Sequence, residues 1–184
     1  YSFLKQLLIM KNNEETFNLA KELHLAGKIE ESHKLYLKLS KIYQNDDKIF
    51  FLLGTTYLQL KKYDDAINNL EFSIKLNPNF PNTYNNLGIA LAEKQKYSDA
   101  LTNYDKAINL KKDYAEAYLN KGISLNKLKR YDEAIKHFKF LIKINPSDPK
   151  VHNNLGNVYK NLKDYNNAII AYDRAISIYE NYFE

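Results

Sequence analysis

Four histidines, two acid pairs and a recurring asparagine are the residues of this chain best suited to chemistry. His24, His33, His137 and His152 are its imidazoles. None stands at the short spacing of a metal site or of an HExxH helix. Cysteine is absent, which removes thiolate ligands, disulfides and a cysteine nucleophile. Asp64–Asp65 and Asp132–Glu133 stand where helices are expected to start, and the partial positive charge of a helix N-terminus accounts for them. The five glycines form no phosphate-binding loop, and no nucleophile–base arrangement emerges. The chain alone is therefore read as non-enzymatic, with no cofactor and no metal. The asparagines read differently. A primary amide both donates and accepts, so a row of them can hold a peptide backbone without reading its side chains.

The row emerges from a period. Gly54, Gly88, Gly122 and Gly156 are 34 residues apart, as are Tyr63, Tyr97, Tyr131 and Tyr165, and Ala66, Ala100, Ala134 and Ala168. Three residue types holding one period mark a repeat array. A weaker copy upstream keeps Ala20, Ile29 and Ser32 in register. The units are 13–46, 47–80, 81–114, 115–148 and 149–182. Each reads as two helices. In the third, Tyr84, Leu87, Gly88 and Leu91 make an apolar stripe at helical spacing. After a break near Lys94–Tyr97, Ser98 is expected to cap the second helix, and Asp64, Asp132 and Asn166 fill the same slot. Asn77-Pro78 and Asn145-Pro146 end second helices. Gly at the eighth position and Ala at the twentieth let the paired helices approach. The tyrosines at the seventeenth plug the turn between them.

Composition bounds the rest. The chain has 184 residues, a net charge of +5 and few Gly or Pro, so it is expected to be all-α. Its 27 basic residues are interspersed with 22 acidic ones, without a basic block. No apolar run is long enough to cross a bilayer, and the absence of cysteine fits a cytoplasmic location. The N-terminus lacks an initiator methionine, and Ile176, Tyr179 and Phe183 keep the end of the chain apolar, so the sequence reads as part of something longer.

The combined pattern resembles the tetratricopeptide repeat. In the fourth unit it stands as Tyr118, Gly122, Leu125, Tyr131, Ala134, Phe138 and Pro146. In the fifth it stands as Leu155, Gly156, Tyr159, Tyr165, Ala168, Tyr172 and Ala175. Departures are Thr16, Ala20 and Ser32 at motif positions of the first unit, Lys112 in the third, and Lys121 and Leu141 in the fourth. The resemblance covers residues 13–182. It implies an all-α, right-handed superhelical solenoid of antiparallel helix pairs, with first helices lining a concave groove. Residues 1–12, with Phe3, Leu4, Leu7 and Leu8, then read as an N-terminal cap helix or the remnant of a preceding repeat, and 183–184 as a tail.

In that register the sixth position reads Asn18, Leu52, Asn86, Asn120, Asn154, with Asn85 and Asn153 at the fifth and Asn157 at the ninth. This column resembles the asparagine ladder in the repeat arm of O-linked N-acetylglucosamine transferases, which holds extended polypeptides. Phe17, Phe51 and Leu52 add an apolar patch near the N-terminal end, and Lys127 and Lys160 add charge. The repeat subtype that clamps a C-terminal carboxylate needs Lys at the fifth position. Here that column is Phe17, Phe51, Asn85, Leu119 and Asn153, so this subtype is disfavoured. The expected function is a protein-interaction scaffold that binds an extended peptide or partner protein, without membrane insertion. The alternative is the substrate arm of a larger enzyme such as a glycosyltransferase. RNA binding ranks below both. Lys21, Lys48, Lys127, Lys150 and Lys160 oppose Glu14, Glu93 and Glu116 in the proposed groove, too small a surplus for phosphate binding.

Overall fold

The computed structural model describes residues 2–180, with side chains from residue 11 onward. Among these residues there are ten α-helices and no strand. A first compact unit holds α1 (Ser2–Leu25), α2 (Ile29–Ile42), α3 (Asp47–Gln59), α4 (Tyr63–Leu76) and α5 (Pro81–Glu93). A second holds α6 (Tyr97–Leu110), α7 (Ala115–Lys127), α8 (Tyr131–Ile144), α9 (Pro149–Asn161) and α10 (Tyr165–Glu180). The starts of α3, α5, α7 and α9 keep the 34-residue period. The expected boundary between residues 12 and 13 falls inside α1, which runs through it unbroken. Phe3, Leu4, Leu7, Leu8 and Phe183 carry side chains outside those described.

First helices start on true caps where the sequence provides them. Asp46 accepts from the Lys48 and Ile49 amides at 3.0 and 3.3 Å, and Asp148 accepts from the Lys150 amide at 2.9 Å. Pro81 and Pro149 occupy the first turns of α5 and α9, where the missing N–H is harmless. The second helices start differently from expectation. Their N-caps are Lys62, Lys96 and Arg130, with no side-chain cap bond, so Asp64, Ser98, Asp132 and Asn166 lie inside the first turn. The turn before them is set by the preceding helix. Lys61, Lys129 and Lys163 sit at φ near +60°, and their N–H groups, with that of the next residue, bond back to the last turn as in a Schellman motif. Gly27 fills the same slot after α1, at φ +75°. Asp164 does cap α10, accepting from the Asn167 amide at 3.2 Å.

Gly54, Gly122 and Gly156 seat one side chain each. A Cβ on Gly122 would lie 2.7 Å from Cε1 and Cζ of Phe138, and one on Gly156 would lie 2.6 Å from Cε1 of Tyr172. In α3 the same place is taken by Leu70, at 2.7 Å from a Gly54 Cβ. The bulky residue at the twenty-fourth position therefore fills the notch, while the buried alanines at the twentieth keep the backbones near. The core of the second unit runs through Leu101, Leu125, Phe138, Leu141, Leu155 and Val158. That of the first is centred on Tyr36, Leu39, Ile49 and Leu53.

Candidate interaction surface

The asparagine column turns out to be partly structural. Asn86 Nδ2 donates to Thr55 Oγ1 at 2.9 Å, joining α5 to α3. Asn161 Nδ2 donates to Asn126 Oδ1 at 3.0 Å, joining α9 to α7. In both cases the ninth or twelfth position of one repeat meets the sixth or thirteenth of the next. Asn154 Nδ2 bonds the Lys150 carbonyl of its own helix at 2.9 Å. Asn120 is half-buried, and Asn18 is exposed. Asn85 is fully buried, at 0% exposure, which corrects its assignment to a ligand-facing groove. Its helical position points between helices, where no peptide can reach it. The expectation also missed Thr55 and Asn126. A hydroxyl or amide at the ninth or twelfth position, one repeat before an asparagine, was the available signal.

The apolar patch of the first unit is largely taken up in packing. Phe17 is half-buried against Tyr36, with ring centroids 6.4 Å apart and Lys21 Nζ 5.7 Å from its centroid. Phe51 meets Phe80 edge-on at 4.9 Å, and Leu52 packs on the core around Ile49 and Leu53. Tyr63, one of the recurrent tyrosines, reaches forward, its OH donating to Glu93 Oε2 at 3.0 Å.

In the second unit the predicted residues divide between two surfaces. Asn120, Lys127 and Asn154 belong to α7 and α9, together with Asn126 and Asn161, which the sequence reading did not name, and Lys127 is exposed. Asn153, Asn157 and Lys160, with Lys150, instead line a cavity of about 790 Å³ between α9 and α10. Its other wall is Tyr172, Ala175, Ile176, Tyr179 and Glu180. Tyr172 OH donates to Asn157 Oδ1 at 2.8 Å and fixes that amide.

Charges elsewhere pair locally. Lys121, which departs from the family pattern, bonds Asp105 at 2.6 Å and so tolerates its half-buried place. Asp64 pairs with Lys94, and Arg130 makes a two-point contact with Glu133 at 2.7 and 2.8 Å. His33 Nδ1 lies 2.9 Å from Thr56 Oγ1, whose own proton goes to the Leu53 carbonyl. Burial, helped by Lys62, holds the His33 imidazole below its ordinary pKa. Burial, helped by Lys121, does the same for His137. Among the described residues no group of His, Asp or Glu gathers as a metal site would, and no helix is long and apolar enough to cross a membrane.

Comparisons with known proteins agree with this architecture. The family model described as TPR repeat matches residues 55–95, 90–129 and 122–163, and that described as tetratricopeptide repeat matches 149–182. Residues 2–73 match the model for anaphase-promoting complex, cyclosome, subunit 3. No curated protein matches the chain in sequence. Among solved structures, MamA 41-end from Desulfovibrio magneticus RS-1 superimposes with a TM-score of 0.82 at 18% identity, covering 92% of this chain and 96% of that one. YrrB, described as a TPR protein with an unusual peptide-binding site, gives 0.74 at 21% identity over 94% and 91%. TTC0263, a thermophilic TPR protein in Thermus thermophilus, gives 0.74 at 19% identity over 90% and 90%. With repeat matches running through most of its length over an all-helical fold of the same solenoid kind, the chain belongs to the tetratricopeptide repeat family.

Proposed function

We propose that the chain is a non-catalytic protein-interaction scaffold, and that its second unit holds an extended peptide across α7 and α9. The observation that carries this reading is the Asn161–Asn126 amide pair at 3.0 Å, which bridges the two helices beside exposed Lys127. A joined pair of primary amides keeps donor and acceptor capacity beyond its own bond, enough to engage a peptide group. Both amides ride on rigid helices, so little ordering is needed on binding. Asn120 and Asn154 extend the polar row on the same helices. Membership of a family of interaction repeats supports the reading, as does the peptide-binding site named for YrrB. A cytoplasmic location belongs to the same proposal and rests on the absence of cysteine. The resemblance to a glycosyltransferase arm carries less weight, because Asn86 and Asn154 are engaged within the fold.

The test is selection of peptides from a random display library on the immobilised chain, followed by affinity measurement with Lys127→Ala and Asn120→Ala. Each substitution is expected to weaken a selected peptide several-fold, since one hydrogen bond is worth roughly 0.5–1.5 kcal/mol. Unchanged affinity in both variants would remove the α7–α9 surface from consideration.

A further inference from the structure

The second helices α6 and α8 carry an apolar stripe at spacings of four and three, and α7 and α9 pack on them. In α6 the stripe Leu101, Tyr104 and Ile108 is buried, at 7%, 1% and 8% exposure, with α7 packed on it. In α8 Phe138 is fully buried, seated against Gly122 of α7, and α9 packs on the same helix. In α10 the corresponding stripe is Tyr165, Ile169, Tyr172, Ile176 and Tyr179. There Tyr165, Ile169, Ile176 and Tyr179 are 55–61% exposed. Tyr172, Ile176 and Tyr179 of this stripe line the 790 Å³ cleft whose other wall is α9, and Tyr165 and Ile169 continue the stripe toward the start of α10.

We propose that the cleft is a self-association site, filled by α10 of a second copy of this chain. The spacing of the stripe is that of an a/d coiled-coil seam, in which Ile169 and Ile176 alternate with tyrosines. Such a seam is self-complementary about a two-fold axis when the helices run antiparallel. Charge selects the same partner. The cleft wall on α9 offers Lys150 and Lys160, while the α10 wall ends on Glu180, with Asp173 two turns earlier on the same helix. Antiparallel pairing brings the C-terminal end of one α10 to the C-terminal end of the other copy's α9, so Glu180 meets Lys160 of the second copy, twice. The site is separate from the α7–α9 surface proposed for peptides, so either proposal can fail alone.

The experiment is sedimentation equilibrium of the whole chain over roughly micromolar to several hundred micromolar. A reversible dimer is expected. Ile169→Glu with Ile176→Glu is expected to give a monomer with unchanged helicity and melting temperature, because both side chains are exposed. Lys160→Glu or Glu180→Lys alone is expected to weaken the dimer about three- to ten-fold, and the two together to restore it. A monomer at every concentration, or a dimer that survives Ile169→Glu with Ile176→Glu, overturns the proposal. So does a monomer that takes up a labelled helical peptide of the α9 sequence, residues 149–161, which would assign the cleft to a different helix.

Discussion

The bond from Asn86 Nδ2 to Thr55 Oγ1, 2.9 Å long and half-buried, ties one repeat of the first unit to the next. It explains why a helix-weakening residue persists in the interior of α5. Asn86→Ala gains up to about 0.7 kcal/mol in helix propensity but leaves the Thr55 oxygen without its donor. We expect Asn86→Ala to be neutral to destabilising by up to about 1 kcal/mol, and a cycle with Thr55→Val to show positive coupling. Asn154→Ala, whose amide bonds only its own helix, should instead raise the melting temperature. Equal effects at the two sites would show that the Asn86 bond contributes nothing.

Gly122 and Gly27 should respond to alanine for different reasons. At Gly122 the helix favours Ala, but its Cβ would meet the fully buried Phe138 ring at 2.7 Å. Overpacking of this kind typically costs about 1–3 kcal/mol. Hydrogen exchange should then accelerate mostly in α7 and α8. At Gly27 space is open, and only φ +75° resists. The loss there should be about 1 kcal/mol. If Gly122→Ala stabilises the protein, the notch is not tight.

The left-handed turns offer a gain. Lys61, Lys129 and Lys163 adopt φ of 58°, 60° and 62°. Glycine relieves about 1–2 kcal/mol of backbone strain there and loses part of it to unfolded-chain entropy. Each Lys→Gly change should stabilise by up to about 1 kcal/mol. Thermal melts of the three single variants and their combination would check this, and a combined variant that melts lower would contradict it.

Acid should weaken the fold before the carboxylates titrate. His33 and His137 have folded-state pKa values below the ordinary 6.5, burial being the first cause of each. Between the folded and unfolded values the unfolded chain binds more protons, so stability falls as pH drops through about 6.5 and levels off below the folded values. Melting temperature should fall between about pH 7.5 and about pH 5.5, and fall less in His33→Gln with His137→Gln. A parent protein whose melting temperature is flat over that range would refute the assignment.

The period, the helix pairs and the packing glycines were legible because each depends on residue type at fixed spacing. The pairing of Gly122 with Phe138 recurs as Gly54 with Leu70 and Gly156 with Tyr172, so the sequence carries the contact. Helix starts were less legible. Asp64, Ser98 and Asp132 are good caps by type, but the left-handed residues before them, Lys61, Gln95 and Lys129, set the turn two residues earlier. Surface assignment was the weakest point, because one helical stripe can serve either the next repeat or a ligand, and residue type does not distinguish the two. Asn85 and Asn153 share a repeat position, yet one is fully buried and the other exposed at the rim of the α9–α10 cleft.

The peptide-binding surface is tested most directly by the side-chain amide resonances of the asparagines in a ¹⁵N-labelled sample, titrated with a library-selected peptide. Binding across α7 and α9 should shift the Asn120, Asn126, Asn154 and Asn161 NH₂ signals together, leaving Asn68 and Asn69 of α4 unmoved. Shifts confined to Asn153 and Asn157 in the cleft, or to α4, would contradict it.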